Sequence, residues 1–185
     1  CHPEITAEWS ESQHRSAWSD PVFLAGYAVD RQPECRECHA PLQAEPSDPP
    51  PSAVAARNGV ACRSCHARAG AIAGPVGPRA HGGPVEPAWG QGAACDGCHE
   101  FPFPPATAGR PATFDPREPM QRTMSEWASA GAAETCQGCH MPWRTNARGR
   151  RYRSHRMLGI DDTELMTKAV RVELRASAES RSTHA

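Results

Sequence analysis

The sequence predicts a mainly α-helical fold with much irregular loop and few or no strands, in a chain of 185 residues. Three observations lead to this expectation. Leu, Ile, Val and Phe together number only 20, which is few for an ordinary side-chain core. The 15 glycines and 19 prolines interrupt regular structure and favour loops. A net charge of only −1 is untypical of disorder, so the core must contain something besides side chains.

The cysteines repeat in a fixed pattern with histidine. Eight of the nine form four C-x-x-C pairs, and a histidine directly follows each pair, in CRECH, CRSCH, CDGCH and CQGCH. C-x-x-C-H is the attachment motif of c-type haem. Its two thiols form thioethers with the porphyrin, and its histidine binds the iron. Four complete haem c sites are therefore predicted: Cys35, Cys38 and His39; Cys62, Cys65 and His66; Cys95, Cys98 and His99; Cys136, Cys139 and His140.

Paired cysteines also occur in zinc ribbons and in disulfide frameworks. Neither alternative requires a histidine directly after the second cysteine, and four such coincidences are improbable in a chain with nine histidines. A porphyrin also offers a large apolar surface, so haem would make up for the shortage of aliphatic side chains. The expected architecture is a haem-cored multihaem cytochrome c fold.

The chain opens with Cys1-His2-Pro3, which matches the end of a fifth C-x-x-C-H motif. The first cysteine of that motif would precede the printed sequence. A lipid-modified N-terminal cysteine and a stray thiol are alternative interpretations of Cys1. Pro3 suits the first position of a helix and favours the haem interpretation. Cys1 is then an attachment residue and His2 a proximal iron ligand.

Between the motifs, local patterns predict the connecting elements. Periodicity and turn residues indicate two helices, two loop segments and one strand. These are a helix over 3–14, a Pro-rich loop over 41–58, an irregular segment over 67–94, a helix over 118–130, and a strand near 168–177. The strand rests on the alternation of Val170, Val172 and Leu174 with charged residues. No apolar run is long enough to form a transmembrane helix.

Several longer stretches resemble a known family. They are CHPEITAEWSESQH, AHGGPVEPAWGQGAACDGCHEFPFP, MQRTMSEW, CQGCHMPW and SHRMLG, which span most of residues 1–160. They are similar to multihaem c-type cytochromes related to the tetrahaem cytochrome c of the hydroxylamine-oxidation pathway. The resemblance implies stacked haems in a loop-rich helical domain over 1–160. It also implies that the C-terminal segment 161–185 begins a β domain, as in several such proteins.

The histidines outside the motifs are candidates for the sixth ligand of each iron. They are His14, His81, His155 and His184, the last in a polar tail. A helix from His2 to His14 would be about 18 Å long, so these two should bind different irons. Met120 is a candidate thioether ligand, with packing against a porphyrin edge as the alternative. Five proximal histidines and three interior candidates leave two irons, or one if His184 also binds, with Met120, an outside ligand or an open position.

Several haems in one small chain predict electron transfer from site to site, without enzymatic activity. The alternative is a reductase or oxidase acting on a small nitrogen or sulfur species at an open iron. A storage or structural role is a third hypothesis. Covalent haem attachment places the protein in the periplasm, at the cell surface or outside the cell.

The expected partners are redox proteins, including other cytochromes, and nucleic acid is excluded because the chain is not basic. The segment RTNARGRRYRSHR nevertheless holds six arginines. They are interpreted either as a docking patch for an acidic partner or as partners of haem propionates.

The repeated motif makes a direct prediction. Protein expressed in the periplasm should exceed its polypeptide mass by four haems, or by five when the cysteine preceding Cys1 is restored, because each motif attaches one porphyrin covalently. Intact mass spectrometry measures this number. A stably folded product that contains zinc and no haem would contradict it.

Overall fold

The structure, a computed structural model, describes residues 2–41, 51–68, 70–74, 83–106, 112, 114–131 and 133–175. Three of the predicted site residues, Cys1, His81 and His184, lie outside these ranges. Within them, short helices alternate with loops. The α-helices are α1 Pro3–Ser10, α2 Gln13–Ser16, α3 Pro21–Val29, α4 Glu34–His39, α5 Ala53–Asn58, α6 Cys62–His66, α7 Asp96–His99, α8 Thr123–Ser129, α9 Cys136–His140 and α10 Thr163–Ala169.

The described strands form three small antiparallel hairpins, and a 3-10 helix spans Pro87–Gln91. The strand pairs are β1 Ala67–Arg68 with β2 Ala71–Ile72, β3 Glu100–Pro102 with β4 Pro119–Arg122, and β5 Trp143–Thr145 with β6 Arg151–Arg153. Each strand has only two to four residues. The predicted fold class, mainly helical with few strands and much loop, is confirmed.

The predicted helix over 3–14 is wrong in one respect, because two helices occupy this stretch. Pro3 begins α1 as expected, but the helix ends at Ser10. The Ser12 hydroxyl then accepts a hydrogen bond from the backbone N–H of Arg15 and caps α2. Serine at this position favours a new helix start over continuation of the old one. The break turns His14 onto a separate short helix.

The segment around Gly59 holds α1 and α2 in place. The indole Nε1 of Trp9 donates to the carbonyl of Val60 at 2.9 Å, and the Val60 N–H donates to the carbonyl of His14 at 2.8 Å. Gly59 has a φ of 50°, and a side chain there would collide with the carbonyl of His14. Glycine is therefore required where the two backbones meet.

Two predicted segments contain elements that the sequence pattern missed. The expected loop over 41–58 includes α5, whose first turn is capped by the Ser52 hydroxyl; residues 42–50 lie outside the described ranges. The expected irregular segment over 67–94 contains β1, β2 and the 3-10 helix, with 75–82 not described. Ser52 and the alanine-rich stretch after it are local helix signals that the count of prolines obscured.

The predicted helix over 118–130 is also wrong in its first part. Pro119 begins strand β4, and α8 starts only at Thr123. Glu100, on the neighbouring strand β3, accepts hydrogen bonds from the backbone N–H groups of Met124 and Ser125 at 3.0 and 3.2 Å. A carboxylate at a helix N-terminus satisfies otherwise unpaired N–H groups, so a residue distant in sequence sets this boundary.

The predicted strand near 168–177 is wrong over the described residues. Lys168 and Ala169 complete α10, which the Asp162 carboxylate caps through the N–H of Leu165 at 2.8 Å. Residues 170–175 form no strand and pair with no other strand of the described chain. Alternating apolar residues make a strand only when a partner accepts the ladder hydrogen bonds. The boundary between 1–160 and 161–185 stays a prediction.

The hydrophobic core of side chains is very small. Trp18, Ala40 and Ala55 form its buried cluster, against which Phe23 and Tyr27 pack. The ring centroids of Trp18 and Tyr27 lie 5.0 Å apart. Among the described residues, only two further hydrophobic side chains are buried, Ala73 and Trp89.

Large apolar side chains are correspondingly exposed. Val22 and Val29 on α3 are 80% and 89% accessible. The described residues therefore bury too little apolar surface to offset the entropy of ordering the chain. A large apolar group between these elements would supply the missing contacts.

Candidate haem sites

Each complete C-x-x-C-H motif ends a short helix at its histidine. The four helices are α4, α6, α7 and α9, which end at His39, His66, His99 and His140. Helical residues three positions apart lie on one face, so the two thiols of a motif point to the same side. The hydroxyl of Thr135 caps α9 by accepting from the N–H of Gly138 at 3.1 Å. Local helix geometry therefore presents both thiols and the imidazole together.

The Nδ1 atoms of four site histidines lie within hydrogen-bond distance of backbone carbonyls. The pairs are His39 with Ala17 at 2.7 Å, His66 with Ala73 at 2.9 Å, His140 with Leu158 at 2.5 Å, and His155 with Arg153 at 2.8 Å. A carbonyl can only accept, so Nδ1 carries the proton and Nε2 keeps its lone pair. Metal-binding histidines are held in this way. Sequence reasoning missed these partners because a carbonyl acceptor can belong to any residue.

Two histidine pairs have a spacing that fits one metal ion between them. The ring centroids of His14 and His99 lie 6.3 Å apart, as do those of His66 and His155. Two metal–nitrogen bonds of about 2.0 Å, plus the distance from each nitrogen to its ring centre, give about 6 Å. In both pairs, a motif histidine lies beside one of the candidate distal histidines. This geometry fits an iron held from both sides.

Burial favours the neutral form of three of the site histidines. Burial, with smaller contributions from the nearby His99 and His140, lowers the pKa of His14 to about 4. Burial is also the main cause of the lowered pKa values of His99 and His155. Only the neutral imidazole can donate a lone pair to a metal. The described environment therefore favours the form that binds iron.

The attachment cysteines of different motifs lie close to one another. The thiols of Cys38 and Cys98 form a hydrogen bond, which lowers the pKa of Cys98 to about 7 and raises that of Cys38. Burial raises the pKa of Cys95 to about 11, with smaller effects from Cys136 and Cys65. In the haem-loaded protein these sulfurs would be thioethers at porphyrin edges. Neighbouring sulfurs therefore mean neighbouring macrocycles.

The alternative uses of cysteine do not occur in the described part of the chain. Its eight cysteines form no disulfide. Likewise, no three of its histidine, cysteine, aspartate or glutamate side chains converge as a metal site requires. The fit to haem rests instead on the two histidine pairs, the oriented rings and the small side-chain core.

Glu8 links helix α1 to the segment that carries His155. One carboxylate oxygen accepts from the Tyr152 hydroxyl at 3.1 Å, and the other accepts from the His155 N–H at 2.9 Å. The sequence pattern gave no signal for this role, because Glu8 is one of many acidic residues on a helix surface. Its position explains how a distant loop brings His155 to His66.

Other predicted site residues are less clearly placed. Met120 lies on β4 and is 50% exposed. His2 is exposed and lines a cavity of about 400 Å³ between α1 and the β5–β6 hairpin. His39 stacks on Phe23, with ring centroids 3.8 Å apart. The roles of Met120, His2 and the described cysteines stay predictions.

In the arginine-rich segment, one side chain forms structural hydrogen bonds and several others are exposed to solvent. The Arg153 guanidinium donates to the carbonyls of Gln137 and Met141 at 3.2 and 3.3 Å, and it lies over the ring of Trp143. Arg153 thereby satisfies carbonyls at the end of α9, next to His140. Arg144, Arg148 and Arg150 are exposed.

Comparisons with known proteins agree with this geometry. The family model described as cytochrome c554 and c-prime matches residues 1–67. The structure is similar to that of a penta-heme cytochrome c552 from Thermochromatium tepidum, with a TM-score of 0.66 and 21% sequence identity. The alignment covers 97% of this chain and 60% of that one, so this chain spans less than two thirds of its neighbour. Among curated proteins, none matches the sequence.

The family match and the structural likeness support a multihaem c-type cytochrome family. The family resemblance that the sequence predicted is confirmed at this level.

Arg153 provides a test of how the site around His140 is held. Arg153→Met should lower the free energy of unfolding by about 1–3 kcal/mol, because two carbonyls at the end of α9 lose a charged donor. Denaturant unfolding of the haem-loaded protein measures the change. Arg144→Met removes an exposed arginine from the same hairpin and should change the stability little. Equal effects of the two substitutions would contradict this role.

Proposed function

We propose that the protein passes electrons along a chain of closely spaced haems, four attached at its complete motifs and a fifth at Cys1-His2. One observation carries the proposal: the attachment cysteines of different motifs are neighbours. Cys38 and Cys98 are hydrogen-bonded, and Cys95 lies near Cys65 and Cys136. Cysteines of all four complete motifs therefore influence one another electrostatically. Haems that each exchanged electrons only with an outside partner would not need this arrangement.

The chain's residues would act in three ways in this proposal. The motif cysteines fix each porphyrin covalently, and the motif histidines bind from the proximal side. His14 and His155 are the proposed distal ligands opposite His99 and His66. Haem, when bound at these residues, would supply the redox chemistry through the ferric and ferrous states of its iron. Carbonyls that hold Nδ1 keep the rings oriented in both states, and small rearrangement favours rapid electron transfer.

A second candidate function rests on the histidines that lack such an opposing ring. Within the described residues, neither His39 nor His140 faces a second histidine ring at 6.3 Å. At these irons, Met120, His81 or an outside group would supply the sixth ligand, or the position would stay open. An open position would allow a reductase or oxidase reaction on a small nitrogen or sulfur species. The ring geometry at His14 and His155 favours the electron carrier.

The expected setting and partners are part of the same proposal. Attachment of haem c and the use of nine cysteines favour the periplasm, the cell surface or the exterior of the cell. Redox proteins, including other cytochromes, are the proposed electron donors and acceptors. Among the described residues, none of the helices has the length and apolar character needed to cross a membrane.

Substitution of the distal candidates tests the ligand assignment. His14→Ala and His155→Ala should each convert one low-spin haem to a high-spin form, because each removes one axial nitrogen. The double variant should convert two. Electron paramagnetic resonance of the ferric protein counts these signals, and intact mass shows that the haem number is unchanged. Arg144→Ala, at an exposed residue that is not a ligand candidate, is the control without an expected effect.

The same spectra separate the two functions. An electron carrier should show no change in its high-spin signals on addition of nitrite or hydroxylamine, and no turnover of either compound. A high-spin signal that shifts on addition, together with turnover, would favour the enzyme. If His14→Ala and His155→Ala left every signal unchanged, the proposed ligand pairs would be wrong.

A further inference from the structure

A cavity beside His2 has no role in the haem sites described above. It has a volume of about 400 Å³ and lies between the start of α1 and the hairpin formed by β5 and β6. Its polar lining consists of His2, Glu4, Asn146, Arg148, Arg150 and Tyr152. Two interpretations of the arginine-rich segment are open, a docking patch and partners of haem propionates. Of its six arginines, Arg148 and Arg150 line the cavity.

The turn of the hairpin is built without the side chains of these two arginines. The Asn146 Oδ1 atom accepts from the N–H groups of Arg148 and Arg150, both at 3.0 Å, and the Asn146 N–H donates to the Arg150 carbonyl at 3.0 Å. Gly149, with a φ of 74°, completes the turn. The backbone and Asn146 therefore fix this loop, and both guanidinium groups are available for another partner.

Most other polar groups around the cavity already have partners. The Asn146 amide donates to Glu4 Oε1 at 3.2 Å, and the Tyr152 hydroxyl donates to Glu8 Oε1 at 3.1 Å. These contacts hold the hairpin against α1. Within the described residues, neither Arg148 nor Arg150 forms an ion pair. The two arginines thus face a prearranged space without a carboxylate bound to either.

The charge of the lining favours a negatively charged ligand. Two guanidinium groups face one carboxylate, that of Glu4, so the cavity carries excess positive charge at neutral pH. A guanidinium presents parallel N–H donors that match two oxygens of a carboxylate or of an inorganic oxyanion. A phosphate, nitrite or carboxylate oxygen pair would satisfy donors that the described chain does not.

We propose that Arg148 and Arg150 form an oxyanion-binding site next to the iron that His2 binds. The inference rests on the proposed function, because it requires a haem at His2. The same chemistry has two possible sources. A propionate of that haem can occupy the site, or a small oxyanion from solution can bind there beside the iron.

The test uses haem-loaded protein with the cysteine before Cys1 restored. Arg148→Gln/Arg150→Gln is compared with Arg144→Gln/Arg151→Gln, which removes the same charge from the same hairpin but from residues that do not line the cavity. Intact mass first establishes whether a fifth haem is present in each variant. A spectroelectrochemical titration then gives the potential of each haem, and a nitrite titration gives the affinity for a small oxyanion.

We expect the cavity variant to shift one of the five redox transitions to lower potential, because a propionate loses the cations that offset its charge. The matched control should leave that transition in place. Unchanged potentials with nitrite binding weakened tenfold or more would assign the site to a diffusible oxyanion. If the cavity variant and the control behave alike in both titrations while five haems are present, the proposed site is wrong. Absence of the fifth haem would instead refute its premise in the proposed function.

Discussion

The shortage of apolar side chains is the constraint on which this structure depends. In the part of the chain that the structure describes, only Trp18, Ala40 and Ala55 form a buried cluster, while Val22 and Val29 are largely exposed. A chain of this length must bury much more apolar surface to offset the entropy lost on ordering. Porphyrins would provide that surface in large flat pieces. Short helices, tight hairpins and many loops then become sufficient, because each element has only to contact and ligate a macrocycle.

This constraint connects the packing of the chain to the proposed electron transfer. If the cofactors form the core, they must lie close together, and the interactions between Cys38 and Cys98 and around Cys95 agree with this. The histidine rings are oriented by hydrogen bonds from Nδ1 to backbone carbonyls. His39 also stacks on Phe23, which packs against the small side-chain core. The backbone around each motif therefore orients the ligand, while the porphyrins would supply most of the buried apolar surface.

Motifs formed by residues close together in the sequence could be predicted, whereas contacts between residues distant in the sequence could not. The motifs around His39, His66, His99 and His140 could be identified because thioether attachment requires adjacent turns of one helix. The proximity of the His14 and His99 rings could not be predicted, because no residue near either one specifies the other. The Leu158 carbonyl and the Glu100 cap of α8 were missed for the same reason. Residues 170–175 show the opposite error: their pattern suits a strand, but no described strand pairs with them.

The most direct test of the central claim is a thermal unfolding experiment monitored by circular dichroism. It compares the chain made without haem attachment with the haem-loaded protein. If porphyrins form the core, the haem-free chain should show no cooperative transition, whereas the haem-loaded protein should unfold in one steep step. The remaining apolar side chains are too few to support a two-state transition. A cooperative transition of the haem-free chain at a similar temperature would contradict the account.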